Sequence, residues 1–134
     1  MESYRELEIY VESVELGVRI HFMTMELPKF ELYETGSQIR RSSKAIAALI
    51  VEGFARRRYK ADFVKYLVYS IAECDETIVH LDYLHRTQSL KDQKLYEELR
   101  NQVVQLSKKI NKFTQWVETK FVWKPTQLPS PPAT

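Results

Sequence analysis

Residues 95–121 read LYEELRNQVVQLSKKINKFTQWVETKF, and within them Leu95, Leu99, Val103, Leu106, Ile110, Phe113, Val117 and Phe121 step by 4, 4, 3, 4, 3, 4 and 4. Only a helix puts that spacing on a single face. Three earlier stretches repeat it. Phe63, Leu67, Ser70, Cys74, Thr77, Leu81 and Leu84 form a stripe widened by Tyr66, Ile71 and Ile78, and Ile39, Ser43, Ile46, Ile50 and Phe54 form another. Nearest the start, Leu7, Val11, Val14, Val18, Phe22 and Met25 predict a helix that buries those six side chains. Four long helices joined by short connections predict an all-α, antiparallel up-down four-helix bundle.

The boundaries follow from local chemistry. Ser3-x-x-Glu6 and Thr35-x-x-Gln38 read as capping boxes, and Ser89 reads as the cap of the fourth helix. Pro28 ends the first helix near Glu26, because a proline inside a helix loses a hydrogen bond and clashes with the preceding turn. The turn between the second and third helices is expected within residues 55–60, and Gly53 just before it suits a close helix approach. One bundle over residues 1–124 accounts for the domain content. Residues 125–134 hold four of the five prolines and are expected to be an extended, disordered tail.

Composition narrows the function. With 134 residues the chain supports one domain and a core, and with only 3 glycines it lacks the turns of an all-β fold. Its single cysteine, Cys74, excludes an internal disulfide framework and suits a reducing cytoplasm. The longest apolar run, residues 45–51, is far short of the ~20 residues a spanning helix needs, so no membrane segment is expected. Charge is more telling by segment than in total. The whole chain carries +2, but residues 1–35 carry 3 basic and 8 acidic groups and residues 36–65 carry 8 and 2. Antiparallel packing then sets acidic beside basic helices.

The basic segment holds the candidate binding residues. Arg40, Arg41 and Lys44 lie early in the second helix, and Arg56, Arg57, Arg58 and Lys60 lie at its end with Tyr59 among them. Guanidinium groups pair with phosphates and stack on bases, and a tyrosine offers a stacking face, so this set points to RNA or DNA. The same groups also suit ion pairs with the neighbouring acidic helices. Trp116 and Trp123, seven residues apart beside the fourth stripe, read as a protein-interface surface or as the end of the core. Catalysis has no motif behind it. His80 and His85 are five apart rather than four, and Asp82-x-x-His85 has no second E-x-x-H to complete a di-iron set. Cys74 falls on an apolar stripe, as a core residue does. No catalytic residue, metal or cofactor is expected.

The order of short motifs adds a resemblance. Tyr4-Arg5-Glu6-Leu7-Glu8-Ile9-Tyr10, Leu27-Pro28, Gln38-Ile39-Arg40-Arg41, Glu52-Gly53-Phe54-Ala55-Arg56-Arg57 and Asp62-Phe63-Val64-Lys65-Tyr66-Leu67 together resemble the bacterial four-helix-bundle proteins encoded in intervening sequences of 23S ribosomal RNA genes. Cys74-Asp75-Glu76-Thr77 with His80-Leu81 fits a variant of the same pattern. A related branch is the accessory variability determinant of diversity-generating retroelements. The resemblance implies a bundle that assembles as a ring-shaped homopentamer without known catalytic residues. For the retroelement branch it also implies contact with nucleic acid and a reverse transcriptase. Two departures stand out: Leu49 and Val51 replace the family's asparagine and alanine, and Ala72-Glu73 replaces its Gly-Ser. The modest net charge points to the intervening-sequence branch.

Overall fold

The computed structural model describes residues 3–125. A 3-10 turn over Tyr4–Glu6 leads into α1 (Glu8–Met25), and a second over Lys29–Leu32 leads into α2 (Thr35–Ala55); α3 (Lys60–Arg86) and α4 (Gln93–Thr119) follow. Each helix packs on its neighbours in sequence, and α4 closes back on α1 to complete an up-down four-helix bundle. The expected fold is the one formed. Of the proline-rich segment expected over residues 125–134, all but Pro125 lies outside the described residues.

Three of the four stripes turn inward as their spacing requires. Ile39, Ser43, Ile46, Ile50 and Phe54 are buried, as are all seven residues of the α3 stripe; in α4, Leu99, Val103, Leu106, Ile110 and Val117 are buried. The fourth expectation fails. Val11, Val14, Val18, Phe22 and Met25 are exposed, and α1 instead buries Ile9, Ser13, Leu16, Gly17, Ile20, Met23 and Thr24. On that inner face Leu16 and Ile20 are fully buried, with small residues between the large ones. The rotation leaves an apolar stripe in solvent.

Caps differ in the same local way. Ser3 does accept a backbone N–H, from Arg5, but it caps the 3-10 turn and not α1, which begins after Leu7. Thr35 is the first residue of α2, and the carboxylate that meets this helix start belongs to buried Glu31, whose Oε1 accepts the Gly36 N–H at 3.4 Å. A side chain at Gly36 would collide with the Glu31 backbone. Asp92, rather than Ser89, caps α4 by accepting from Leu95 N at 3.0 Å. Between α3 and α4 the chain reverses at Gln88, whose φ of 67° is left-handed.

Close packing of α2 on α3 is set by Gly53, where an added Cβ would lie 3.2 Å from Tyr66 Cβ and 3.3 Å from Phe63 O. A buried polar link joins the same pair of helices, with the Ser42 and Thr77 hydroxyls 2.9 Å apart. The seam between α1 and α4 is wetter: Arg19 meets Glu98 at 2.7 Å, and Lys109 meets Glu8 at 2.9 Å and Glu12 at 2.6 Å. Hydrogen bonds to Glu12 and Glu8 hold the Lys109 ammonium well above its ordinary pKa.

Candidate nucleic-acid interface

One end of the bundle is closed by rings. Phe63 stands edge-on to Phe54, Phe113 and Phe121 with centroids 6.4, 6.0 and 5.5 Å away, and Phe121 reaches this position because the chain folds back after α4, its N–H donating to Trp116 O. Trp116 lies against Phe113 and Phe121, both at 5.6 Å. Its indole therefore joins the aromatic plug while staying 40% exposed.

The α2–α3 connection crosses this same end. Arg56 follows α2, Tyr59 occupies the N-cap position of α3 and Lys60 begins it. The arginines between divide by what they touch. Arg57 is half-buried: its guanidinium covers the Phe54 ring at 4.1 Å and donates to Phe54 O at 3.1 Å, so it closes the C-terminus of α2. Arg56 lies over Tyr66 at 5.0 Å and within 3.6 Å of Glu52 and 3.8 Å of Asp62. Exposed pairs of that length contribute about 0–1 kcal/mol and exchange readily for another anion. Arg58 lies against two rings, Tyr59 at 5.6 Å and Trp123 at 5.2 Å. Lys60 and Lys124, next in sequence to Tyr59 and Trp123, are exposed, as is Lys120.

The candidates near the start of α2 fare differently. Arg40 is consumed by the fold, donating to Thr24 Oγ1 at 3.0 Å and Leu32 O at 2.8 Å and so tying α2 to the end of α1 and the turn after it. Arg41 is exposed and faces α3, where its charge partly offsets burial, and then the hydrogen bond and charge of Glu76, which raise the Glu73 carboxyl. Lys44 meets His21 Nδ1 at 3.0 Å. The eight basic-segment candidates therefore do not make one surface: Arg56, Arg58, Tyr59 and Lys60 share an end with Trp123, while Arg41 and Lys44 lie on the outer side of α2.

Two features escaped the sequence reading. Lys65 lies over Tyr66 and Tyr69 at 5.7 and 5.9 Å, extending the basic and aromatic pattern one turn along α3. The lysine and tyrosines at positions i, i+1 and i+4 carried that signal. The second is the exposed α1 stripe, which borders a groove of about 360 Å³ between Val14, Val18, Phe22, Lys44 and Ala47.

At the opposite end a set of titratable groups is engaged structurally. His85 stacks on Tyr96 at 4.0 Å, the Tyr96 hydroxyl donates to Asp82 at 2.6 Å and Arg100 Nε donates to Asp82 at 3.1 Å, which clips α3 to α4. Burial, then the charges of Asp75 and Glu73, push the Cys74 thiol up to about 12, so it stays protonated and unreactive at neutral pH. Among the described residues no three His, Cys, Asp or Glu side chains gather as a metal site, and no helix is long and apolar enough to cross a membrane.

Comparison with known proteins bears on this arrangement. The sequence model of a family described as 23S rRNA-intervening sequence protein matches residues 5–112. A solved structure of a protein of unknown function from the S23 ribosomal protein family of Bacteroides thetaiotaomicron superposes with a TM-score of 0.71 at 26% identity, covering 80% of this chain and 95% of that one. Among curated proteins none matches.

Proposed function

The chain belongs to the 23S rRNA-intervening sequence protein family, and on that footing we propose that it is a non-enzymatic, self-assembling four-helix bundle that binds structured RNA through its basic end. One observation carries the reading. Arg58 and Lys60 are exposed basic groups without a carboxylate partner among the described residues, and they lie beside Arg56, Tyr59 and Trp123. A guanidinium spent on the fold donates to it, as Arg40 does to Thr24 and Leu32 and Arg57 does to Phe54, whereas Arg58 and Lys60 make no such bond among the described residues. Unspent guanidinium and ammonium groups beside accessible aromatic rings suit phosphates and bases.

Self-assembly rests on the outer face of α1. Val11, Val14, Val18 and Phe22 form its apolar centre. One edge is net acidic, with Glu12 and Glu98 already paired to Lys109 and Arg19 and Glu15 as its unspent carboxylate, and the other carries Lys44, with Arg41 further round α2. A second copy set head to tail brings an acidic edge to a basic one, and repeated contacts of that kind close into a ring. The homopentamer that the resemblance implies would repeat the basic end around such a ring, adding avidity to individually weak phosphate contacts. A second reading takes the same stripe as the seat of a different chain, a reverse transcriptase included, with the arginines as its ion-pair partners.

The deciding experiment is anisotropy of a labelled structured RNA over a salt series, with mass measured by light scattering on the same sample. Binding that falls steeply with salt is expected. Charge reversal of Arg56 and Arg58 together should lower affinity and flatten that slope without changing mass. An intact assembly with no affinity at low salt would refute RNA binding and leave the adaptor reading.

A further inference from the structure

What the basic end would grip can be read from how Arg58 is held. This inference rests on the RNA-binding reading above and narrows it to a class of ligand. The guanidinium is placed by two aromatic faces, 5.6 Å from the Tyr59 centroid and 5.2 Å from that of Trp123. Tyr59 is 60% exposed, and Trp123 is half-buried in the non-helical segment after α4. Tyr59 and Trp123 come from opposite halves of the sequence, and the fold brings both to one cation. Arg56 engages the nearby carboxylates Glu52 and Asp62.

A solvent-exposed cation lying on a ring is weakly held. A nucleobase stacks on indole or phenol more strongly, and a guanidinium binds phosphate more strongly than it binds a ring face. Both exchanges are favourable at once if a base takes the place of Arg58 on the indole and Arg58 turns to the phosphate of the same nucleotide. We propose that Tyr59, Arg58 and Trp123 form a stacking clamp for an unpaired nucleotide of a single strand. Paired bases keep their faces buried in the helical stack and present mainly phosphates. A duplex can therefore meet Arg56, Arg58, Lys60 and Lys124 but not the rings. Every base has a π face, so the clamp tolerates any sequence. The contacts are with base face and phosphate, so RNA and DNA strands bind alike.

Trp116→Phe in the full chain leaves Trp123 as the only indole, since the sequence has two tryptophans. Titrating this protein with single-stranded oligoadenylate should quench its emission saturably, and oligodeoxyadenylate should do the same. The blunt duplex of oligoadenylate with oligouridylate should bind without comparable quenching. In the otherwise unaltered chain, Trp123→Ala should weaken single-strand binding on the order of ten-fold, the scale of one lost base stack, and leave duplex binding unchanged. Trp123→Phe should restore most of the loss, which separates stacking from any effect on folding; circular dichroism checks helicity. Arg58→Glu should weaken both ligands. Unchanged emission while anisotropy reports a bound single strand, or equal weakening of single strand and duplex by Trp123→Ala, would overturn the clamp and leave RNA binding standing. Binding of neither ligand at low salt would overturn both.

Discussion

Both faces of α1 are apolar, yet the bundle covers only one. The inner face, with Ile9, Leu16, Ile20 and Met23, carries its large side chains between small ones, Ser13, Gly17 and Thr24; the outer face, with Val11, Val14, Val18 and Phe22, carries large ones at every turn. Hydrophobicity alone would bury the second. The bundle buries the first, in which Leu16 and Ile20 are fully enclosed and Ser13, Gly17 and Thr24 take the positions between the large side chains. The outer face, with Phe22 65% exposed and Val18 51% exposed, is apolar surface that the monomer does not use. The arginines show the same division: Arg40 and Arg57 are used by the fold, while Arg58 is left over. What the monomer spends holds the fold, and what it leaves over is the surface available to partners.

The largest expected effect separates the two faces directly. Leu16 is fully buried, so Leu16→Ala should destabilise the protein by about 2–5 kcal/mol in chemical denaturation. Phe22→Glu should leave helicity intact and instead lower the mass seen by light scattering, because a charge cannot be buried against a second copy without a partner. If Phe22→Glu unfolds the chain while Leu16→Ala is tolerated, the assignment of inner and outer faces is reversed. Unchanged mass with intact helicity would remove the outer stripe from assembly.

That contrast also explains what was legible in the sequence. In α2 and α4 the exposed face is mostly small, polar or charged, so periodicity selects one solution, and the structure adopts it; α3 leaves Val68, Tyr69, Val79 and Tyr83 exposed, yet buries the stripe its spacing picks out. In α1 two stripes compete, and the one with larger side chains reads more strongly although it faces solvent. Nothing local reports that α1 will turn Ser13 and Gly17 inward. Caps failed for a related reason. Ser3 and Thr35 have the right chemistry, but buried Glu31 reaches the start of α2 from the preceding turn. The basic run at residues 56–60 was legible because it is contiguous. The approach of Trp123 to Arg58 was not, since it depends on the chain folding back after α4, and neither was the use of Arg40, whose partners Thr24 and Leu32 lie outside its own helix.

Glycines sharpen the comparison at smaller scale. At Gly17 an added Cβ would lie 3.7 Å from both Lys44 Cγ and Ser43 O, ordinary contact, so Gly17→Ala should be neutral or gain up to about 1 kcal/mol from helix propensity. At Gly53 the nearest atoms are 3.2 and 3.3 Å away, and one of them is backbone, so Gly53→Ala should cancel that gain or reverse it by about 1 kcal/mol. Thermal denaturation of the two variants beside the parent decides it. Equal shifts of the same sign would mean that α1 and α2 pack no more loosely at Gly17 than α2 and α3 do at Gly53.

The smallest effect tests charge that the fold consumes. Burial raises the Asp82 carboxyl, but hydrogen bonds from Tyr96 and Arg100, with the Arg100 charge, outweigh it and hold the group below its ordinary value. Its pKa is therefore lower folded than unfolded. The stabilisation is complete above the ordinary aspartate value of about 4 and is lost as pH falls through the lowered folded one. Asp82 and Arg100 remain partly in solvent, with side chains 35% and 43% exposed, so the contribution should be no more than about 1 kcal/mol. Asp82→Asn should melt below the parent at pH 7, and the gap should narrow as pH is lowered past about 4. Arg58→Gln should show no such gap at any pH, because that guanidinium faces rings and solvent. No gap at Asp82 at any pH would mean that the clip between α3 and α4 works through packing of Tyr96 on His85 alone. A gap of similar size at Arg58 would mean that this cation too belongs to the fold, and would weaken its assignment to a ligand.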